Sequence, residues 1–176
     1  MPTERPLRLF FALACPSDLA EAVCDWRDSQ EVGGRPVAQA NLHLTLAFLG
    51  NQPADSVEGL KQLAAKVRVD AFALRLDQLR TIGKDFACLM PSQSPSPLNQ
   101  LVEQLHAGLS THGVMLDARP FLPHVTLSRQ VHALPDIQPP AFHWPVRRFG
   151  LYCSENTSSG VHYSELASWP LAAPGR

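Results

Sequence analysis

The chain has 176 residues, of which 45% are hydrophobic, and a net charge of −1. That apolar content excludes a disordered chain, and the length fits one compact domain or two small lobes sharing a core. The near-zero charge excludes a grip on long nucleic acid by counterion release, while leaving room for recognition of one nucleotide or a strand end.

Twelve of the fifteen cations are Arg, the side chain suited to bidentate phosphate contact. Cys15, Cys24, Cys88 and Cys153 show no CxxC pairing and read as reduced thiols of a cytoplasmic protein. No apolar run approaches the ~18 residues of a membrane span. Arg5-Pro6-Leu7-Arg8 ahead of Leu9–Cys15 has a faint look of a lipoprotein leader. Its apolar stretch is short for a leader core of ~7–15 residues, and a helical pattern follows at once, so a core strand is expected instead.

Leu7–Ala14 is that strand, closed by Cys15-Pro16. Ser17 is the expected N-cap of a helix running to about Ser29, with Leu19, Val23 and Trp26 on one face. Gly33-Gly34 and Pro36 break it. Leu42–Leu49 alternates cleanly: Leu42, Leu44, Leu46 and Phe48 on one face, His43, Thr45 and Ala47 on the other. After Pro53, Val57, Leu60, Leu63, Ala64 and Val67 form a helical stripe.

Phe72, Leu74 and Leu76 alternate as a strand, with Phe86–Met90 expected as its neighbour after a turn near Gly83. Pro91–Pro97 is the most linker-like segment and divides the chain into approximate halves, 1–91 and 98–176. Leu98, Leu101, Val102, Leu105 and Leu109 mark a helix ending near Gly113. Pro123–Arg129 is a strand and Pro135–Pro145 a Pro-rich connection. Phe149–Ser154 and Val161–Leu166 close the chain as a strand pair around an Asn156–Gly160 turn. Helices and strands mix without regular alternation, so the expected class is α+β, one domain over 1–176 built of two similar antiparallel lobes.

The chain writes His-x-Thr-Leu twice, at His43-Leu44-Thr45-Leu46 and at His124-Val125-Thr126-Leu127. On a strand, residues i and i+2 point the same way, so His43 projects with Thr45 and His124 with Thr126. Two such strands facing one cleft would bring two imidazoles and two hydroxyls together. Histidine titrates near neutrality, so one ring can accept a proton while the other donates one. That pair suits in-line displacement at phosphorus, with the hydroxyls on non-bridging phosphate oxygens and no metal or cofactor required. His106 and His112 are expected on a helix surface, and His132, His143 and His162 in loops or strand ends. The chain lacks zinc-ligand spacing and a Gly-x-Ser-x-Gly elbow.

With their flanks, these residues resemble the two-histidine phosphoesterase superfamily, and most closely its bacterial RNA 2′,3′-cyclic phosphodiesterases, also called 2′-5′ RNA ligases. The resemblance rests on Arg8–Leu13, Asn41–Gly50 and Arg119–Arg129, and on Leu151–Ser154, Tyr163–Leu166 and Trp169-Pro170-Leu171 near the end. It implies a bilobal fold, two antiparallel sheets with flanking helices about a pseudo-twofold axis, terminal strands crossing between lobes, and both histidines in the central cleft. It implies opening of a 2′,3′-cyclic phosphate at an RNA 3′ end, or of a 2′,3′-cyclic nucleotide, to a 2′-phosphomonoester, with 2′-5′ ligation as the reverse. His43 would be the proton donor and His124 the proton acceptor. Thr45 and Thr126 would hold the phosphate, Arg129 would contact phosphate or RNA, and Phe11 would stack on the base. Strand parity puts Arg129 on the wrong face, so the strand must end or bulge before it. Alternatives are a small substrate such as ADP-ribose 1″,2″-cyclic phosphate, or a non-catalytic RNA-end binding module. Neither a membrane partner nor an obligate oligomer is indicated, and a monomer is expected.

Overall fold

Strand β1 (Leu7–Ala14) sets the frame of the computed structural model, which describes residues 5–173. Leu9, Phe11 and Leu13 are fully buried, and β1 lies between β3 (His43–Gln52) and β9 (Arg148–Thr157). The order of the large sheet is β10-β9-β1-β3-β7-β6-β5, with β10 at Gly160–Pro170, β7 at Val125–Arg129, β6 at Phe86–Met90 and β5 at Gln78–Ile82. A two-residue strand β2 (Arg35–Pro36) also pairs with β7. All these pairings are antiparallel, and among the described residues three α-helices complete an α+β fold.

The two motif strands meet at one antiparallel bridge, Leu44 with Val125. Each of these residues is the x of its own His-x-Thr. An antiparallel bridge is locally twofold, so the axis relating the motifs passes through it. Around that axis β1 beside β3 answers to β6 beside β7. The C-terminal hairpin β9–β10 extends the β1–β3 side, and the mid-chain hairpin β5–β6 extends the β7 side.

Helix α1 (Ser17–Ser29) follows β1, α2 (Val57–Ala65) follows β3, and α3 (Ser96–Thr111) follows β6. All five residues of the expected α3 stripe are buried. Ser17 is the first helical residue and not the cap; Pro16 occupies that position, and its carbonyl accepts the Ala20 N–H. The four cysteines are free thiols. Among the described residues, no helix is long and apolar enough to cross a membrane.

The pairing of β4 (Phe72–Leu76) departs from expectation. Its partner is β8 (Phe142–Val146), in a separate two-stranded sheet, and β6 pairs instead with β5. Strand β8 overlaps the end of the segment expected as a Pro-rich connection; its Trp144 and Val146 are buried, and Pro145 is tolerated because a two-stranded sheet has only edges. Strand β5 is half-exposed along its length, so it carries no alternation to read.

Candidate active site

Both motifs hold their imidazoles in the same way. His43 Nδ1 lies 2.7 Å from the Asn41 carbonyl oxygen, and His124 Nδ1 lies 2.7 Å from that of Leu122. A carbonyl only accepts, so each Nδ1 carries a proton and each Nε2 is left as the nitrogen for chemistry. In the neutral ring, His43 Nε2 accepts from the Thr45 hydroxyl at 2.9 Å. Thr126 Oγ1 sits 3.7 Å from the Cys88 Sγ on β6, a thiol that burial pushes up to about 11 and keeps neutral. Asn41 is held in turn, its side-chain amide donating to the Val161 carbonyl of β10 at 2.9 Å.

The fourth motif residue does a separate job. Ala12 pairs with Thr45 and Phe11 with Ala47, which leaves Leu46 unmatched as a bulge on β3. Across the axis, Cys88 pairs with Thr126 and Ala87 with Ser128, which leaves Leu127 unmatched on β7. A bulge shifts side-chain parity by one. Leu44 and Leu46 are buried before it, and Ala47 and Leu49 after it. Phe48, expected on the buried face, is therefore 47% exposed and lines the cleft. The same shift buries Ser128 and turns Arg129 into the cleft, which resolves its parity.

The resulting cleft, about 630 Å³, is lined by His43, Thr45, His124, Thr126 and Arg129 together. Phe11 is not among its walls. It is fully buried against Phe149 and Trp169, so the expectation that it meets a base is corrected. The reason is parity: Arg8, Phe10 and Ala12 take the cleft face of β1, and Leu9, Phe11 and Leu13 take the core face. The charged Arg8 was the available sign, because a cation marks the wet face of a strand and Phe10 stands two residues on.

The aromatics that do line the cleft are Phe10, Phe48, Phe86 and Tyr163. Phe10 and Tyr163 wall the His43 ring, each with its centroid 5.1 Å away. Arg8 lies over Phe48, 4.8 Å from the ring centre. Phe10 pairs with Phe48, the fifth residue beyond His43, and Phe86 stands next to Ala87, which pairs with Ser128. Burial lowers the basicity of His43, opposed by its bond to Asn41 and reinforced by the charges of His124 and Arg129. Among the described residues, no group of three His, Cys, Asp or Glu is placed to hold a metal ion.

Known proteins share this chain's sequence and fold. The chain is 37% identical over 173 residues to the RNA 2′,3′-cyclic phosphodiesterase of Escherichia coli strain K12, covering 96% of this chain and 98% of that one. It is 30% identical to the RNA 2′,3′-cyclic phosphodiesterase of Thermus thermophilus, covering 94% and 90%. The crystal structure of E. coli LigT complexed with 3′-AMP superposes with a TM-score of 0.87 at 37% identity, covering 94% and 98%. The family model for the 2′-5′ RNA ligase superfamily matches residues 15–156. Two bulged His-x-Thr-Leu strands facing one cleft, together with these matches, place the chain in the 2′-5′ RNA ligase superfamily.

Proposed function

We propose that this protein opens the 2′,3′-cyclic phosphate at an RNA 3′ end, or in a cyclic nucleotide, leaving a 2′-phosphomonoester. The observation that carries the reading is the matched pair of Nδ1 locks, which present two Nε2 atoms to one cleft. The names of the relatives support the substrate class.

His124 Nε2 takes a proton from water as its oxygen bonds to phosphorus. The P–O3′ bond breaks, and His43 Nε2–H delivers the proton that O3′ needs. Thr45, Thr126 and Arg129 hold the non-bridging oxygens and stabilise the charge that builds on them. Because burial lowers His43, its acid form is scarce in the free protein at neutral pH; the phosphate anion raises its affinity for the proton it will donate. Phe48 takes the base-stacking role in place of Phe11, since its ring is exposed to the cleft.

The test is product analysis on 2′,3′-cyclic AMP with EDTA present, beside a cyclic-phosphate-ended oligonucleotide and ADP-ribose 1″,2″-cyclic phosphate. 2′-AMP is the expected product. A 3′-AMP product overturns the acid–base orientation, and a hundredfold preference for the ADP-ribose ester overturns the RNA assignment.

A further inference from the structure

A bulged residue leaves the strand ladder, and its buried carbonyl then needs a donor from elsewhere. Both motif bulges receive one from a helix. The Leu46 carbonyl accepts from His106 Nε2 of α3 at 3.1 Å, and the Leu127 carbonyl accepts from Arg27 Nη1 of α1 at 3.2 Å. Since a carbonyl only accepts, His106 carries its proton on Nε2. Arg27 is 6% exposed, unusual for a surface-helix cation. The same Nη1 reaches the Val37 carbonyl at 2.8 Å, and Val37 N–H itself donates to the Leu127 carbonyl at 2.9 Å. Asp28 partners its Nε at 3.0 Å.

The arrangement is symmetric and crossed. Helix α1 follows β1, the neighbour of β3, yet Arg27 holds the bulge of β7. Helix α3 follows β6, the neighbour of β7, yet His106 holds the bulge of β3. Without the bulge, ordinary alternation returns and the fifth residue beyond each histidine turns toward the core. The bulges are thus what present Phe48 and Arg129 to the cleft.

We infer that Arg27 and His106 are positioning residues, each clamping the motif bulge of the opposite half: Arg27 sets the aim of Thr126 and Arg129, and His106 sets the aim of Thr45 and Phe48. The effect on turnover rests on the proposed phosphodiesterase reading; the effect on the strands does not.

The experiment therefore has two arms. The first is amide hydrogen exchange, read residue by residue by NMR. His106→Leu is expected to speed exchange about tenfold or more at Ala47 and Phe48 while leaving Ser128 and Arg129 unchanged, and Arg27→Met to do the reverse. His106→Gln, whose amide can still donate, is expected to restore the His106 site, and Arg27→Lys covers the case in which Arg27→Met fails to fold. The second arm is turnover of 2′,3′-cyclic AMP. Arg27→Met is expected to lower kcat/KM roughly tenfold and to be non-additive with Arg129→Met but additive with Phe48→Ala. Exchange that rises equally in both strands overturns the crossed clamp. Local exchange with kcat/KM within about twofold of wild type overturns the positioning role. Local exchange in a protein whose wild type does not turn over the nucleotide upholds the clamp and overturns the phosphodiesterase reading.

Discussion

The segments at β3 and β7 share the His-x-Thr-Leu pattern, the Nδ1 lock and the bulge, yet they make different halves of a site. On β3 the histidine is walled by Phe10 and Tyr163, and the residue the bulge turns outward is Phe48. On β7 that residue is Arg129, and the neighbour the bulge turns inward is Ser128 where β3 has Ala47. In the proposed reaction the repeat supplies paired proton-transfer groups. The departures from it make the two sides unlike: an apolar side whose burial lowers one imidazole and whose exposed ring would meet a base, and a cationic side that would draw a phosphate. A symmetric pair alone does not set which ring donates, and the two rings stand in different surroundings, burial disfavouring the charged form of His43.

Removing either imidazole breaks the part that the halves share. His43→Ala and His124→Ala are each expected to lower kcat on 2′,3′-cyclic AMP by roughly 10²–10⁴-fold, measured in steady-state assays with thermal unfolding as the folding control. A variant that kept wild-type turnover would remove the two-histidine mechanism. The next comparison is between the outward-turned residues. Arg129→Met loses a charge-assisted contact to phosphate and is expected to lower kcat/KM by about 10–100-fold, mainly through kcat. Phe48→Ala loses stacking, worth ~1–3 kcal/mol per base, and is expected to act mainly on KM. If the two variants shift the same parameter, the division of labour between the strands is wrong.

Acidity gives a third contrast. As general acid, His43 must be protonated, so kcat/KM falls as pH rises through its pKa in the free protein, which burial holds below 6.5. The phosphate anion raises it in the complex, so the alkaline limb of kcat is expected at higher pH than that of kcat/KM. NMR titration of the His43 ring identifies the group. If the limb that tracks it is instead the acidic one, His43 is the base.

The smallest effects test the inward-turned pair. Ser128 Oγ is buried with no hydrogen-bond partner among the described residues. Ser128→Ala, which makes β7 match β3, is expected to stabilise by about 1 kcal/mol, and Ala47→Ser to destabilise by a similar amount, both read from denaturant midpoints. Opposite signs from these would mean that Ser128 has a partner.

Much of the fold follows from periodicity where one face is fully buried. The α3 stripe, the α2 residues Leu60, Leu63 and Ala64, and the start of β3 all read directly, because burial of one face demands a repeat of 3.6 or 2. Strand β5 is half-exposed and β8 is short and holds Pro145, so neither presents a clean repeat, and the β4–β8 pairing joins residues some seventy positions apart. In the site, His43, Thr45, His124 and Thr126 are legible because their spacing keeps them on one face before any bulge intervenes. Phe48 lies beyond the bulge, where counting by two fails. Phe11 was legible too, given that Arg8 marks the wet face of β1. His106, expected on the surface, is half-buried and bonded to Leu46, a contact across sixty residues that helical spacing does not reveal.

By itself, the sequence determined that two His/Thr faces exist and that each rides on a strand with an apolar reverse side, because those are consequences of local geometry and burial. Which residues join those faces was decided by the tertiary structure. A bulge is a property of two strands in register, and each bulge carbonyl accepts a side-chain donor from a helix in the other half of the chain. The shift of parity at those bulges turns Arg129 and Phe48 toward the cleft, which counting along either strand alone does not show.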